Sequence, residues 1–166
     1  MDLSRPFANR GKGFVVSIVF EESRSFASVA VLNRKLGLVQ GYVFPRKLFP
    51  WVAVWEENLA RNGPPWNGKT QARGLEFGTT PMPVGKVETF CRGPLFGAPA
   101  FCRIPARSAI QANYVAFLSR VNGNWQSVRD VRLEEHALMI ESSTHELAIL
   151  PARNVRDEIC SFKESR

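Results

Sequence analysis

Apolar residues along this chain gather in short runs bounded by turn-forming residues, and helical signals are weak. Phe14–Phe20 (FVVSIVF) and Phe26–Leu32 (FASVAVL) are dense in β-branched and aromatic residues, the composition of strands half or fully buried in a sheet. Leu36–Phe44 and Phe49–Trp55 (FPWVAVW) continue the series, with Pro45 and Pro50 limiting each run. Gln111–Val121 leads into Asn122-Gly123, a pair that tolerates the positive φ values of a tight turn and so predicts a β-hairpin. His136–Glu141 and His145–Leu150 flank a Ser-Ser-Thr turn and predict a second hairpin. Helical signals are confined to Glu56–Arg61, enough for a turn or two, and Asn154–Phe162, a short terminal helix. The fold class that follows is all-β, an antiparallel β-sandwich, with residues 1–166 as a single domain, a length that fits one domain.

Composition changes this picture little. Apolar residues make up 45 % and charged residues 22 % of the chain, an ordinary core and an ordinary surface. The net charge of +7 would suit an anionic partner, but Arg73, Lys86, Arg92 and Arg103 stand singly and no basic run reaches four. That distribution argues against a track for nucleic acid. Cys91, Cys102 and Cys160 are odd in number and widely spaced, so neither a disulfide framework nor a CxxC metal pair is expected. A reducing, cytoplasmic setting is the default for such a chain. The N-terminal MDLSRPFANRGKG leads into an apolar stretch of only seven residues, Phe14–Phe20, so neither a signal peptide nor a membrane span is expected.

Between Asn62 and Pro105 glycines and prolines recur every few residues, the texture of long loops that carry function. Gly63-Pro-Pro-Trp-Asn-Gly-Lys-Thr70 fits the phosphate-binding pattern GxxxxGK[ST] letter for letter. The pattern works through converging backbone N–H groups and a helix that starts at the Lys. Pro64 and Pro65 have no N–H to give, and the glycines and β-formers after Lys69 make a poor helix. Nucleotide binding is therefore rejected.

Arg73-Gly-Leu-Glu-Phe-Gly-Thr-Thr-Pro81 reads as a strand with Leu75 and Phe77 on one face and Gly74, Glu76 and Gly78 on the other. Glycine inside a strand often marks the close approach of a ligand or another backbone. A glutamate in that clearing could reach a bound hydroxyl. The structural alternatives are an ion pair between Glu76 and Arg73, or a bulge at the glycines.

This segment resembles the late active-site strand of aldose 1-epimerases (galactose mutarotase-like proteins), where a strand ending in Leu-Glu is followed five residues later by Pro, here Leu75-Glu76 and Pro81. Phe49–Trp55, Trp55-Glu-Glu-Asn58 and Pro65-Trp-Asn-Gly68 resemble an uncharacterised branch of that superfamily, and the likeness is concentrated in Tyr42–Val84. The resemblance implies an antiparallel sandwich that binds a free aldose or related carbohydrate on a concave sheet face, without cofactor or metal. It also implies an isomerase of carbohydrate metabolism, if the chain is active. The family reaction interconverts anomers, a glutamate acting as base and a histidine as acid. Glu76 matches the base. Arg73, Trp66, Glu57 and Asn58 would contact the sugar, although Trp66 also reads as a core residue. The family's histidine lies before the glutamate strand, whereas His136 and His145 both follow Glu76. The chain thus resembles the later part of such a domain, N-terminally incomplete. A raw sheet edge would then invite pairing, with a homodimer or a missing N-terminal piece as partner. The rival reading is a non-catalytic β domain that binds protein through its Gly-Pro loop and its edge.

Overall fold

The computed structural model describes residues 11–160 and 163–165. The expectations for the first ten residues and for 161–162, the end of the predicted terminal helix, lie outside them. In chain order the elements are β1 (Lys12–Val19), β2 (Phe26–Asn33), β3 (Leu38–Pro45), β4 (Trp51–Asn58), β5 (Gln71–Gly78), α1 (Lys86–Arg92), β6 (Ala109–Gln111), β7 (Val115–Arg120), β8 (Val128–Leu133), β9 (Ala137–Ser142), β10 (Leu147–Pro151), α2 (Val155–Cys160) and β11 (Lys163–Ser165). The architecture is all-β, and every strand pair is antiparallel. The chain groups into two compact units, residues 1–21 with 48–102 and residues 22–47 with 103–166.

The first unit is built on a three-stranded sheet in the order β1-β4-β5. As the central strand, β4 is covered on both faces: Trp51 and Glu57 are buried on one, Val52, Val54, Glu56 and Asn58 on the other. Its near-continuous apolar start therefore differs from the alternation of a half-exposed strand. The sequence predicts a helical turn over Glu56–Arg61, but β4 stays extended through Asn58. Two specific contacts override the local helix preference. Glu56 lies directly across the ladder from Arg73, and Glu57 turns its Oε1 onto the backbone N–H groups of Ala60 (2.5 Å) and Arg61 (2.9 Å), capping the loop that follows. In the Gly-Pro segment the structure adds α1, tied across one turn by the Glu88–Arg92 ion pair and without a buried residue.

The second unit packs the sheet β2-β3-β7 against the sheet β10-β9-β8, with β6 and β11 as a separate ribbon. Its core is supplied alternately by the two sheets: Val39, Val43 and Phe117 from one, Val131, Leu133, Leu138 and Ile140 from the other. Ile159 of α2 and Trp125 complete it. The His136–Leu150 hairpin forms as β9 and β10. The hairpin predicted at Asn122-Gly123 does not, because β7 pairs with β3 and β8 with β9. Asn122 O accepts from Trp125 N (3.2 Å), Gly123 keeps an ordinary φ, and the turn carries the chain from one sheet to the other. Trp125, 2 % exposed, anchors it in the core between them.

Candidate functional site

Strand register decides which side chains share a face. Trp55 pairs with Gly74 and Ala53 with Glu76, so Trp55, Gly74 and Glu76 stand on one side of the first unit's sheet. Gly74 has no side chain to separate its neighbours. A Cβ there would lie 3.5 Å from both Glu76 Oε1 and Trp55 Cε3. Glu76 thus leans over the gap toward the Trp55 ring, and it has no hydrogen-bond or ion-pair partner among the described residues.

The loop from Ala60 to Thr70 folds back onto the same face. Its amides are spent internally: Trp66 and Asn67 donate to Gly63 O (both 3.0 Å), Gly68 to Arg61 O (2.8 Å) and Lys69 to Trp66 O (3.0 Å). A strand, not a helix, follows Lys69, so neither half of a phosphate cradle is present. What the loop does instead is set Trp66 beside Trp55, ring centroids 5.3 Å apart and planes tilted by 46°. The Arg61 guanidinium sits 5.3 Å from each ring, a cation–π arrangement held from below by Glu57, whose Oε2 is 3.5 Å from Arg61 Nε. Trp55, Trp66 and Arg61 therefore form a cluster of two aromatic rings and a fork of donors, and Glu76, an unengaged acceptor, adjoins Trp55 across the Gly74 gap.

The residues expected from sequence are divided by the sheet. Glu76 and Trp66 both adjoin Trp55 on one face, both with solvent access. Glu57 points to the same side but is 1 % exposed and committed to the loop. Arg73 and Asn58 lie on the opposite face. Arg73 binds Glu56 through Nε (2.8 Å) and Nη2 (2.5 Å), so the ion pair that the sequence offered between Arg73 and Glu76 is made to Glu56. Asn58 accepts from Gln71 Nε2 (2.8 Å). Trp55 and Arg61 were missed. Continuing the Trp51-Val-Ala-Val-Trp55 alternation through Glu57 would have exposed Trp55 as a face residue; the helical reading of Glu56–Arg61 hid it.

Both histidines belong to the second unit. His136 lines a shallow depression with Pro151, Arg153 and Asn154. His145 joins an ionic cluster on the outer face of β8-β9-β10: its Nδ1 is 2.7 Å from Glu141 Oε1, Arg132 donates to Glu141 Oε2 (2.9 Å), and Arg129 reaches Glu141 Oε1 (3.3 Å). The hydrogen bond with His145, then those from Arg132 and Arg129, hold the Glu141 carboxyl below the usual carboxylate range. A depressed folded-state pKa stabilises the fold above the unfolded value, and that contribution is lost as pH falls through the folded one. Stability is therefore expected to drop as pH falls below about 4.5. Glu141→Gln should flatten part of that drop, while being the less stable variant near neutrality. Urea titrations at several pH values check this. Equal acid slopes for the two proteins would remove Glu141 from the account.

Among the described residues no group of His, Cys, Asp and Glu gathers as metal ligands, and no helix is long and apolar enough to cross a membrane. No protein-family model matches the chain, and no curated protein or solved structure is significantly similar to it.

Proposed function

We propose that the Trp55–Trp66 face of the first unit binds a carbohydrate. The observation that carries this reading is the pairing of two tilted, partly exposed indoles under the Arg61 fork, with the Glu76 carboxylate on the same sheet face beside Trp55. A sugar ring offers an apolar C–H face and a rim of hydroxyls. Indole rings suit the first, being large and rigid at low entropic cost. A carboxylate accepts from hydroxyls and a guanidinium donates to them in fixed geometry. Gly74 supplies the clearance between stacking surface and acceptor.

Anomer interconversion, the reaction implied by the resemblance to aldose epimerases, asks for more. It needs an acid opposite the base, and Glu76 has no histidine in its own unit. The reading is therefore binding, with Glu76 as a hydroxyl acceptor. Calorimetric titration with a panel of free aldoses and short oligosaccharides tests it. A saturable isotherm is expected for at least one sugar, and Trp66→Ala should weaken it about tenfold or more, the scale of losing a tryptophan anchor. Trp66→Ala must keep the circular dichroism of wild type for that result to count. If no sugar in the panel binds, the carbohydrate reading fails.

Catalysis has its own check. Polarimetry on freshly dissolved α-glucose or α-galactose is expected to show the spontaneous rate with wild type and Glu76→Gln alike. A wild-type rate above that baseline, lost in Glu76→Gln, would restore the enzyme.

A further inference from the structure

Among the described residues the second unit has, besides the β6-β11 ribbon, two three-stranded sheets with four outer strands, β2, β7, β8 and β10, and they are not equally open. β2 and β8 run beside one another, and β8 is further broken by a bulge between Val128 and Asp130. β10 ends in Pro151, which has no N–H to donate to a partner. β7 has no proline, no lysine and no bulge; of the devices that usually blunt an edge it carries a single charge, Arg120, at its end.

The backbone of β7 shows which groups are on offer. Val121 N donates to Gly37 O (2.9 Å), in phase with the β3–β7 register that pairs Val39 with Ser119 and Gly41 with Phe117. In an antiparallel ladder the residues that exchange bonds alternate with those that do not. Val115, Phe117 and Ser119 therefore bond to β3, and the N–H and C=O groups of Ala116, Leu118 and Arg120 point away from it, with Arg120 O accepting from Ser119 Oγ (3.1 Å) on one of its two lone pairs. β3 is the only strand paired with β7 among the described residues. The side chains of those same residues are exposed, Leu118 at 63 %.

We propose that β7 is a self-association edge, pairing antiparallel with β7 of a second copy of this chain about a twofold axis through Leu118. The pattern fits its own copy. Leu118 exchanges both backbone bonds with Leu118 of the second copy, and Ala116 exchanges both with Arg120 of the second copy. On the outer face small stands against large at Ala116, so the Arg120 stem has room. Diagonal neighbours across strands lie about 7–8 Å apart, within reach of long side chains, which brings Arg120 toward the exposed Tyr114 ring of the second copy. No like charges face one another directly. The result is one continuous sheet, β2-β3-β7 joined to its twofold mate, with an isologous interface.

Sedimentation velocity on the full chain over a wide concentration range tests this, together with amide hydrogen exchange. The expected result is a mass that rises toward twice the 18.6 kDa of one chain, with protection of the Ala116, Leu118 and Arg120 amides increasing in step. Leu118→Lys sets like charges face to face and should shift the dimerisation midpoint about tenfold or more to higher concentration. Ile149→Lys, on the β10 edge, should leave the midpoint unchanged, as should Trp66→Ala, so failure of the sugar reading and failure of this one are separable. A monomer at every concentration overturns the proposal. So does a dimer that survives Leu118→Lys, or one that Ile149→Lys abolishes. If Leu118→Lys does not fold, the concentration dependence of the three wild-type amides decides the matter alone.

Discussion

Arg73→Ala is expected to cost the fold about 3–5 kcal/mol, the range for stranding one member of a buried ion pair. Its partner Glu56 is 3 % exposed on the central strand, and truncation at 73 would take away the guanidinium that faces that buried carboxylate. The cost arises from a buried carboxylate losing its cation more than from the lost bond itself. Glu56→Gln combined with Arg73→Met should therefore be milder than Arg73→Ala alone. Urea denaturation of the three proteins measures this. A loss under about 1 kcal/mol for Arg73→Ala would put the pair in the class of solvated surface bridges. By contrast, Glu76→Gln, three residues along the same strand but exposed, should fall within about ±0.5 kcal/mol. The contrast bears on function. Arg73 variants can lose ligand only through the fold, whereas Trp66 and Glu76 variants can lose it with the fold intact.

How far the sequence reached follows from which interactions are local. Short runs rich in β-branched and aromatic residues located β1, β2, β3 and β4 to within a few residues, and alternation located β5, because the pleat sets which of its side chains share a face. It also separated Glu76 from Leu75 and Phe77. What alternation cannot supply is the partner strand. Arg73 looked available for Glu76 or for a ligand because nothing in the sequence says that Glu56, 17 residues earlier, lies across the ladder from it. Glu57 and Asn58 looked like sugar ligands for the same reason, although one caps a loop and the other accepts from Gln71. At Asn122-Gly123 the turn chemistry was sound, but the destination of the chain was set by burial of Trp125, a long-range effect that overrides the local hairpin signal. Helix α1 escaped because it sits in a Gly-Pro segment and shows no buried face, leaving no apolar period to read. The Trp55–Arg61–Trp66 cluster needed two facts at once, the register of β4 and the fold-back of its loop, and only the first was implicit in the pattern.

Gly41→Ala is expected to be strongly destabilising, against the usual sign for such a change. Replacing glycine by alanine inside a strand normally stabilises by about 0.4–1 kcal/mol, since the unfolded chain loses freedom. Gly41 keeps an ordinary φ, so backbone strain is not the obstacle. Space is the obstacle: a Cβ there would stand 2.2 Å from Val29 O, 2.7 Å from Phe117 Cζ and 3.0 Å from Ala30 Cα. Phe117 faces Gly41 across the β3–β7 ladder and lays its ring over the bare backbone, which lets that ring join Val39 and Val43 in the core. Two of the three obstructing atoms belong to the backbone of β2, so a rotamer change at Phe117 cannot relieve the clash. Forced overpacking typically costs about 1–3 kcal/mol and occasionally more, and contacts this short place Gly41→Ala at the upper end, with Gly41→Val beyond it. Adding Phe117→Leu to Gly41→Ala should recover only part of the loss, because it removes the ring and leaves Val29 O in place. Thermal melts and urea midpoints for the single and double variants give the measurement. Were Gly41→Ala neutral or stabilising, β2 would have to lie farther from β3 than the Ala30–Gly41 pairing places it, and the packing of the second unit's core around Phe117 would need to be redrawn.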